Sequence, residues 1–116
     1  MKVIIILLFA LAMMCCTKHV DQISPCNVAP DTVSYFTHVY PIIDRTCAIP
    51  TCHVNGFEYG NFKNAAEVKK AATSGKLEFM IVTRQMPSGI TRGKSILTDC
   101  EITTIRAWIY SGASIN

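Results

Sequence analysis

The chain has 116 residues, 50% of them hydrophobic, 16% charged and 9% aromatic, with six cysteines and a formal net charge of +3. This length and composition suit one small folded domain and exclude an intrinsically disordered segment. Six glycines and five prolines exclude a collagen-like or linker-dominated chain, and no block of like charge marks an acidic or basic interaction tail.

The chain opens with Lys2 and then twelve uninterrupted apolar residues, Val3 to Met14, the layout of a secretory signal. Twelve residues of helix span about 18 Å against a hydrocarbon core of about 30 Å, which argues for an export signal over a permanent membrane span. The apolar run ends at Cys15 and Cys16 and turns polar with TKHVDQ. This junction resembles the signal of bacterial lipoproteins, in which a cysteine is acylated after cleavage. The resemblance implies a signal peptide over residues 1–15 and a lipid on Cys16, with Cys15 the neighbouring alternative, and places the protein on the periplasmic or cell-surface side of a membrane. An ordinary secretory signal is the competing reading. Beyond residue 15 the chain keeps ten basic side chains against eight acidic ones, too near neutrality for a nucleic-acid binder. So small a domain buries limited apolar surface, and a disulfide, metal or cofactor is expected to help stabilise it.

Residues 16–32 are polar, carry Pro25 and Pro30, lack helical or strand periodicity and read as a tether, leaving 33–116 as the domain. Phe36, Val39, Tyr40, Ile43 and Cys47 then form the apolar stripe of an amphipathic helix, with Pro41 tolerable only near its first turn. The segment 54–63 holds two glycines and two asparagines and predicts an irregular loop. Asn64 and Glu67 have the spacing of a helix start, Ala65, Val68, Ala71 and Ala72 supply a modest apolar face, and Gly75 can end that helix. Leu77, Met80 and Ile81 again have helical spacing, and a loop with Pro87, Gly89 and Gly93 follows. Thr98 and Glu101 match a capping box that opens a last helix with Ile102, Ile105, Trp108 and Ile109 on one face, closing before Gly112. The expected fold is all-α, with three or four short helices and long loops. Nothing between them alternates in the way a sheet requires.

The stretch that carries chemistry is Cys47-Ala-Ile-Pro-Thr-Cys52-His53. In covalent haem attachment two thiols add to the porphyrin vinyl groups, and a histidine directly after the second cysteine is held under the iron. Here four residues separate the cysteines instead of the usual two, so the extra pair must bulge outward, stiffened by Pro50. A second ligand must come from farther along, and Met86 lies about 33 residues downstream in a proline-containing loop. Its thioether suits a low-spin redox iron. Met80 is a rival for that role, although its place on a helical stripe marks it as core. His38, on the first helix, is the other rival and would give bis-histidine ligation, although its position there reads as that of a surface histidine.

The order of helix, attachment motif, loop, helix, methionine loop and closing helix resembles the class I cytochrome c fold over residues 33–116, in particular small exported or lipid-anchored monohaem domains. A longer C-x4-C-H motif is a known variant there. The resemblance implies one covalent haem c per chain, with Cys47 and Cys52 as the thioether attachments, His53 as the proximal ligand and Met86 as the distal one. Trp108 on the closing helix is placed to cover the macrocycle edge and to pack against the helix that ends at Cys47. The resemblance also implies a carrier of single electrons between redox partner proteins, held to a membrane by lipid, with no catalytic turnover and no small-molecule substrate. Cys26 and Cys100 then remain, and the even count in an oxidising compartment predicts a disulfide between them. Competing readings are a cofactor-free, disulfide-stabilised lipoprotein binding module, in which Cys47 and Cys52 pair with each other, and a haem sensor or peroxidase lacking the distal ligand. A zinc site fits less well, since adjacent Cys52 and His53 would have to share one ion and a fourth donor is wanting. Lys69, Lys70 and Lys76 form a basic cluster that could dock an acidic redox partner, but with so small a net charge they read first as a solvated helix face.

Overall fold

In a computed structural model of the chain, residues 26, 28–88 and 96–116 are described. The expected signal peptide, Cys15, Cys16 and most of the tether lie outside them, as does the part of the methionine loop at 89–95. Among the described residues all regular structure is helical. A 3₁₀ turn at Pro30–Thr32 and a π turn at Tyr35–Val39 precede α1 (Tyr40–Thr46), α2 (Ala65–Thr73), α3 (Lys76–Val82) and α4 (Asp99–Tyr110). No described helix is long and apolar enough to cross a membrane.

The first helix forms with a differently wound start. The Tyr40 N–H donates to the Tyr35 carbonyl, an i→i+5 bond, just before Pro41, which has no N–H to give. In an α-helix Tyr35 and Phe36 would share the face one turn above Val39; the wider turn rotates Phe36 outward. Tyr35 therefore enters the core at 0% exposure, and Phe36, expected there, is 54% exposed.

Helix α2 starts where Asn64 caps it, its side-chain oxygen accepting from the Ala66 N–H at 2.9 Å. Val68 and Ala72 are buried and Ala65 and Ala71 pack partly against the core. Gly75, at φ +76°, reverses the chain in a conformation that favours glycine, and α3 packs back on α2. The predicted capping box opens α4: the Glu101 N–H donates to Thr98 Oγ1 at 3.2 Å, and the Thr98 N–H donates to Glu101 Oε2 at 2.9 Å.

The core gathers Tyr35, Val39 and Ile43 against Ile102, Ile105 and Trp108 of α4, with Phe62, Val68, Leu77 and Ile81 on its other side. Trp108 is fully buried; its ring lies 5.2 Å from that of Tyr35, and its Nε1–H donates to the Ser114 carbonyl at 2.7 Å, folding the C-terminal residues back onto α4. Arg45 pairs with Glu101 to join α1 to α4. Arg84, just past α3, donates to the Leu97 carbonyl at 2.6 Å and pairs with Asp99, so the end of α3 is fastened to the start of α4. Cys26 and Cys100 are disulfide-bonded, with Cα atoms 5.1 Å apart, which ties the segment before the 3₁₀ turn to the first turn of α4.

Candidate functional site

Helix α1 ends at Cys47, whose N–H donates to the Ile43 carbonyl at 2.8 Å. From there to His53 the chain makes a closed detour. The Cys52 N–H donates to the Ile49 carbonyl at 3.0 Å, with Pro50 and Thr51 at the corners of the turn and Thr51 at φ +70°, the dihedral pattern of a type II turn. The His53 N–H then donates back to the Cys47 carbonyl at 3.0 Å. The two extra residues thus sit on a tight, exposed turn, and the backbone of His53 returns to that of Cys47.

The following loop holds the histidine in place. The Phe62 N–H donates to the His53 carbonyl at 2.9 Å, and the Phe62 ring stacks on the imidazole at 4.0 Å between centroids and 9° between planes. Phe57 meets the imidazole edge-on at 5.1 Å. Gly60 places its carbonyl 3.3 Å from His53 Nδ1. Because a carbonyl only accepts, Nδ1 carries the hydrogen and Nε2 keeps its lone pair. Burial pushes the His53 pKa below its ordinary value, opposed by hydrogen bonds to the Gly60 and Tyr59 carbonyls. The ring is neutral at neutral pH.

Cys47 is 7% exposed and Cys52 half-buried, and both thiols are free. Burial raises the Cys47 pKa, with the Thr46–Cys47 hydrogen bond opposing it and the charge of Cys52 adding to it. The Thr46 hydroxyl donates to the Ile42 carbonyl at 2.7 Å and lies 3.4 Å from Cys47 Sγ.

Cys47, Cys52, His53 and Met86 all line one cavity of about 560 Å³ with largely apolar walls, within the range of about 300 to 1,000 Å³ that encloses sizeable ligands. Met86 is 36% exposed and sits just past α3, where the N–H groups of Gln85 and Met86 both donate to the Met80 carbonyl, at 3.0 and 3.1 Å. Met80 was expected in the core; instead it is half-buried and lines the same cavity, while Leu77 and Ile81 take the inward positions of α3. In this helix of seven residues Leu77 and Ile81 serve both the core and the cavity wall, Met80 lines the cavity, and Phe79 and Val82 face solvent.

Trp108 packs, as expected, on the side of the helix that ends at Cys47, buried against Tyr35. The other half of the expectation needs correcting: among the described residues α4 contributes nothing to the cavity wall. The wall that Trp108 was expected to form is made instead by Phe57, Tyr59 and Phe62 of the loop and Leu77 of α3. His38 is exposed, with its Nδ1 accepting from the Ser34 N–H at 3.1 Å. Lys76 is exposed, as expected, and it also lines the cavity at its mouth, its ammonium 5.3 Å from the Tyr59 ring centre. Stacking of Phe62 on His53 had no sequence signal, because an aromatic residue in an aperiodic loop reveals no direction.

The donors are chemically distinct: two thiols, one imidazole nitrogen lone pair and two thioethers around an apolar slot. Among the described residues no group of three or more histidine, cysteine or carboxylate side chains is gathered in a way that could hold a metal ion. Compared with protein-family profiles, curated proteins and solved structures, the chain shows no significant match to any.

Proposed function

We propose that this chain is a monohaem c-type cytochrome of the class I kind, a carrier of single electrons exported from the cytoplasm and held to a membrane through a lipid on Cys16. The observation that carries this reading is the convergence of two free thiols, an imidazole with its Nε2 lone pair available and a downstream methionine on one apolar cavity. The donor set fits the group. Thiols, an imidazole and a thioether are what covalent attachment and axial ligation of a haem use, and the cavity has the size of a cofactor pocket.

When bound, the haem supplies a one-electron ferric/ferrous couple. Cys47 and Cys52 would hold it through two thioether bonds, each the sum of one thiol and one vinyl group, so that no oxidant would be needed. His53 would offer its Nε2 lone pair to the iron, with the ring's orientation held by the Phe62 stack and its tautomer by the Gly60 carbonyl. Met86 would offer its thioether, a ligand type that favours the reduced iron and raises the potential. Phe57, Phe62 and Leu77 keep water away from the cavity interior. A redox partner protein takes the electron, and no small-molecule substrate or catalytic step is assigned to the chain.

A pyridine haemochrome assay on the exported, mature protein tests this. We expect one haem c per chain that survives acidified acetone, and a ferric sulfur-to-iron absorption band lost in Met86→Ala and kept in Met80→Ala. A colourless mature protein overturns the proposal in favour of a binding module. Covalent haem without any sulfur ligand would instead make the protein a gas sensor or peroxidase. Mass spectrometry of the mature terminus checks the anchor, for which an unacylated start beyond Cys16 is the negative result.

A further inference from the structure

The described residues lining the cavity include one lysine or arginine and no carboxylate, and the lysine stands at the exposed mouth. The others, from Thr46 to Ser88, are apolar side chains, hydroxyls, thiols, thioethers and the imidazole of His53, whose Nδ1 faces the Gly60 carbonyl. Lys76 begins α3 and extends over the ring of Tyr59, which is 60% exposed, whereas Cys47 on the same wall is 7% exposed. The cavity therefore has a dry end with a thiol and a wet end with a cation and a phenol. A ligand that matches this gradient is apolar where it is buried and anionic where it meets water.

We propose that Lys76, steadied by Tyr59, is the anion-recognising residue of the site and receives the ionised carboxylate side chains of the bound porphyrin at the cavity mouth. This rests on the haem reading above. A porphyrin of this class carries its vinyl groups on one edge and its two propionates on the opposite one, so the cysteines that capture the vinyls turn the propionates away from the buried thiol. In the free protein the Tyr59 face holds the ammonium by a cation–π contact, so the charge is placed over the mouth before any ligand arrives. Phe57, which meets Tyr59 edge-on at 5.7 Å, steadies the phenol ring in turn. Lys76 thus neutralises negative charge close to the iron and makes the reduced state more favourable.

Spectroelectrochemical titration of the mature protein tests this through the midpoint potential, which a merely structural lysine would leave alone. Near the midpoint, Lys76→Ala is expected to lower the reduced-to-oxidised ratio at fixed poise by about threefold, as for loss of one partly screened charge. Lys76→Glu should shift it further in the same direction, Lys76→Arg should retain the original value, and Lys69→Ala, outside the cavity wall, should not move it. The threefold change should shrink as salt is raised. Covalent haem with the same midpoint in Lys76→Ala as in the unsubstituted protein overturns this inference and leaves the cytochrome reading intact. A mature protein without haem overturns both.

Discussion

Two backbone positions hold the site together. Thr51 occupies left-handed space at φ +70°, where a β-branched residue costs about 1 to 2 kcal/mol relative to ordinary conformations. Replacing Thr51 by glycine relieves that strain and adds back some unfolded-chain entropy, for a net stabilisation of about 0.5 to 1 kcal/mol. It should appear as a higher urea midpoint at unchanged slope; a lower midpoint would mean that the turn is not built this way. Gly60 is the opposite case. An added Cβ would meet the Phe62 ring at 3.4 Å and the Glu67 carboxylate at 3.5 Å, both ordinary contacts, so the cost of a side chain lies in the backbone, held at φ +103° where side chains are rarely found. Gly60→Ala should destabilise the fold by about 1 to 2 kcal/mol and displace the carbonyl that orients His53.

Between elements, a surface triad fixes how α3 meets α4. Arg106 Nε donates to Glu78 Oε1 at 2.9 Å, Arg106 Nη2 donates to the Tyr110 oxygen at 2.8 Å, and the Tyr110 hydroxyl donates to Glu78. The Tyr110 hydrogen bond, then Arg106, holds the Glu78 carboxyl below its ordinary value of 4.5. The unfolded chain consequently binds more protons than the folded one in acid, so this contribution is complete above pH 4.5 and is lost as pH falls through the lowered folded value. In Glu78→Gln the decline of the thermal midpoint below pH 4.5 should be shallower than in the unsubstituted protein. Parallel declines would show that the triad does not persist in solution. Since α3 carries Lys76, Leu77, Met80 and Ile81 into the cavity wall, the same ties hold one side of the site.

The whole molecule depends most on a constraint distant in sequence. The Cys26–Cys100 bridge joins residues 74 apart, and closing a loop of that length removes unfolded-chain entropy worth about 4 kcal/mol. The double variant Cys26→Ser/Cys100→Ser should lose an amount of that order in urea unfolding, against less than about 1 kcal/mol for any one of the exposed ion pairs. Two free thiols per haem-loaded chain, titrated under denaturing, non-reducing conditions, would count against the bridge. It also fastens the region leading from the proposed lipid anchor directly to the helix that backs the core.

What the sequence determined by itself was local: where helices begin and end, and which residues carry chemistry. Asn64, Gly75 and the Thr98–Glu101 box were legible because caps satisfy backbone groups within a few residues, and the Cys52–His53 adjacency needs no fold to be seen. Only the tertiary structure decided direction. Phe36 turned outward while Tyr35 entered the core because one wide turn rotates everything before it, and Trp108 stayed clear of the cavity because Tyr35 was there to receive it. Phe62, Met80 and Lys76 joined the cavity for the same reason: which way a side chain points from a loop or a short helix is set by what packs against that element, and those neighbours lie far along the chain.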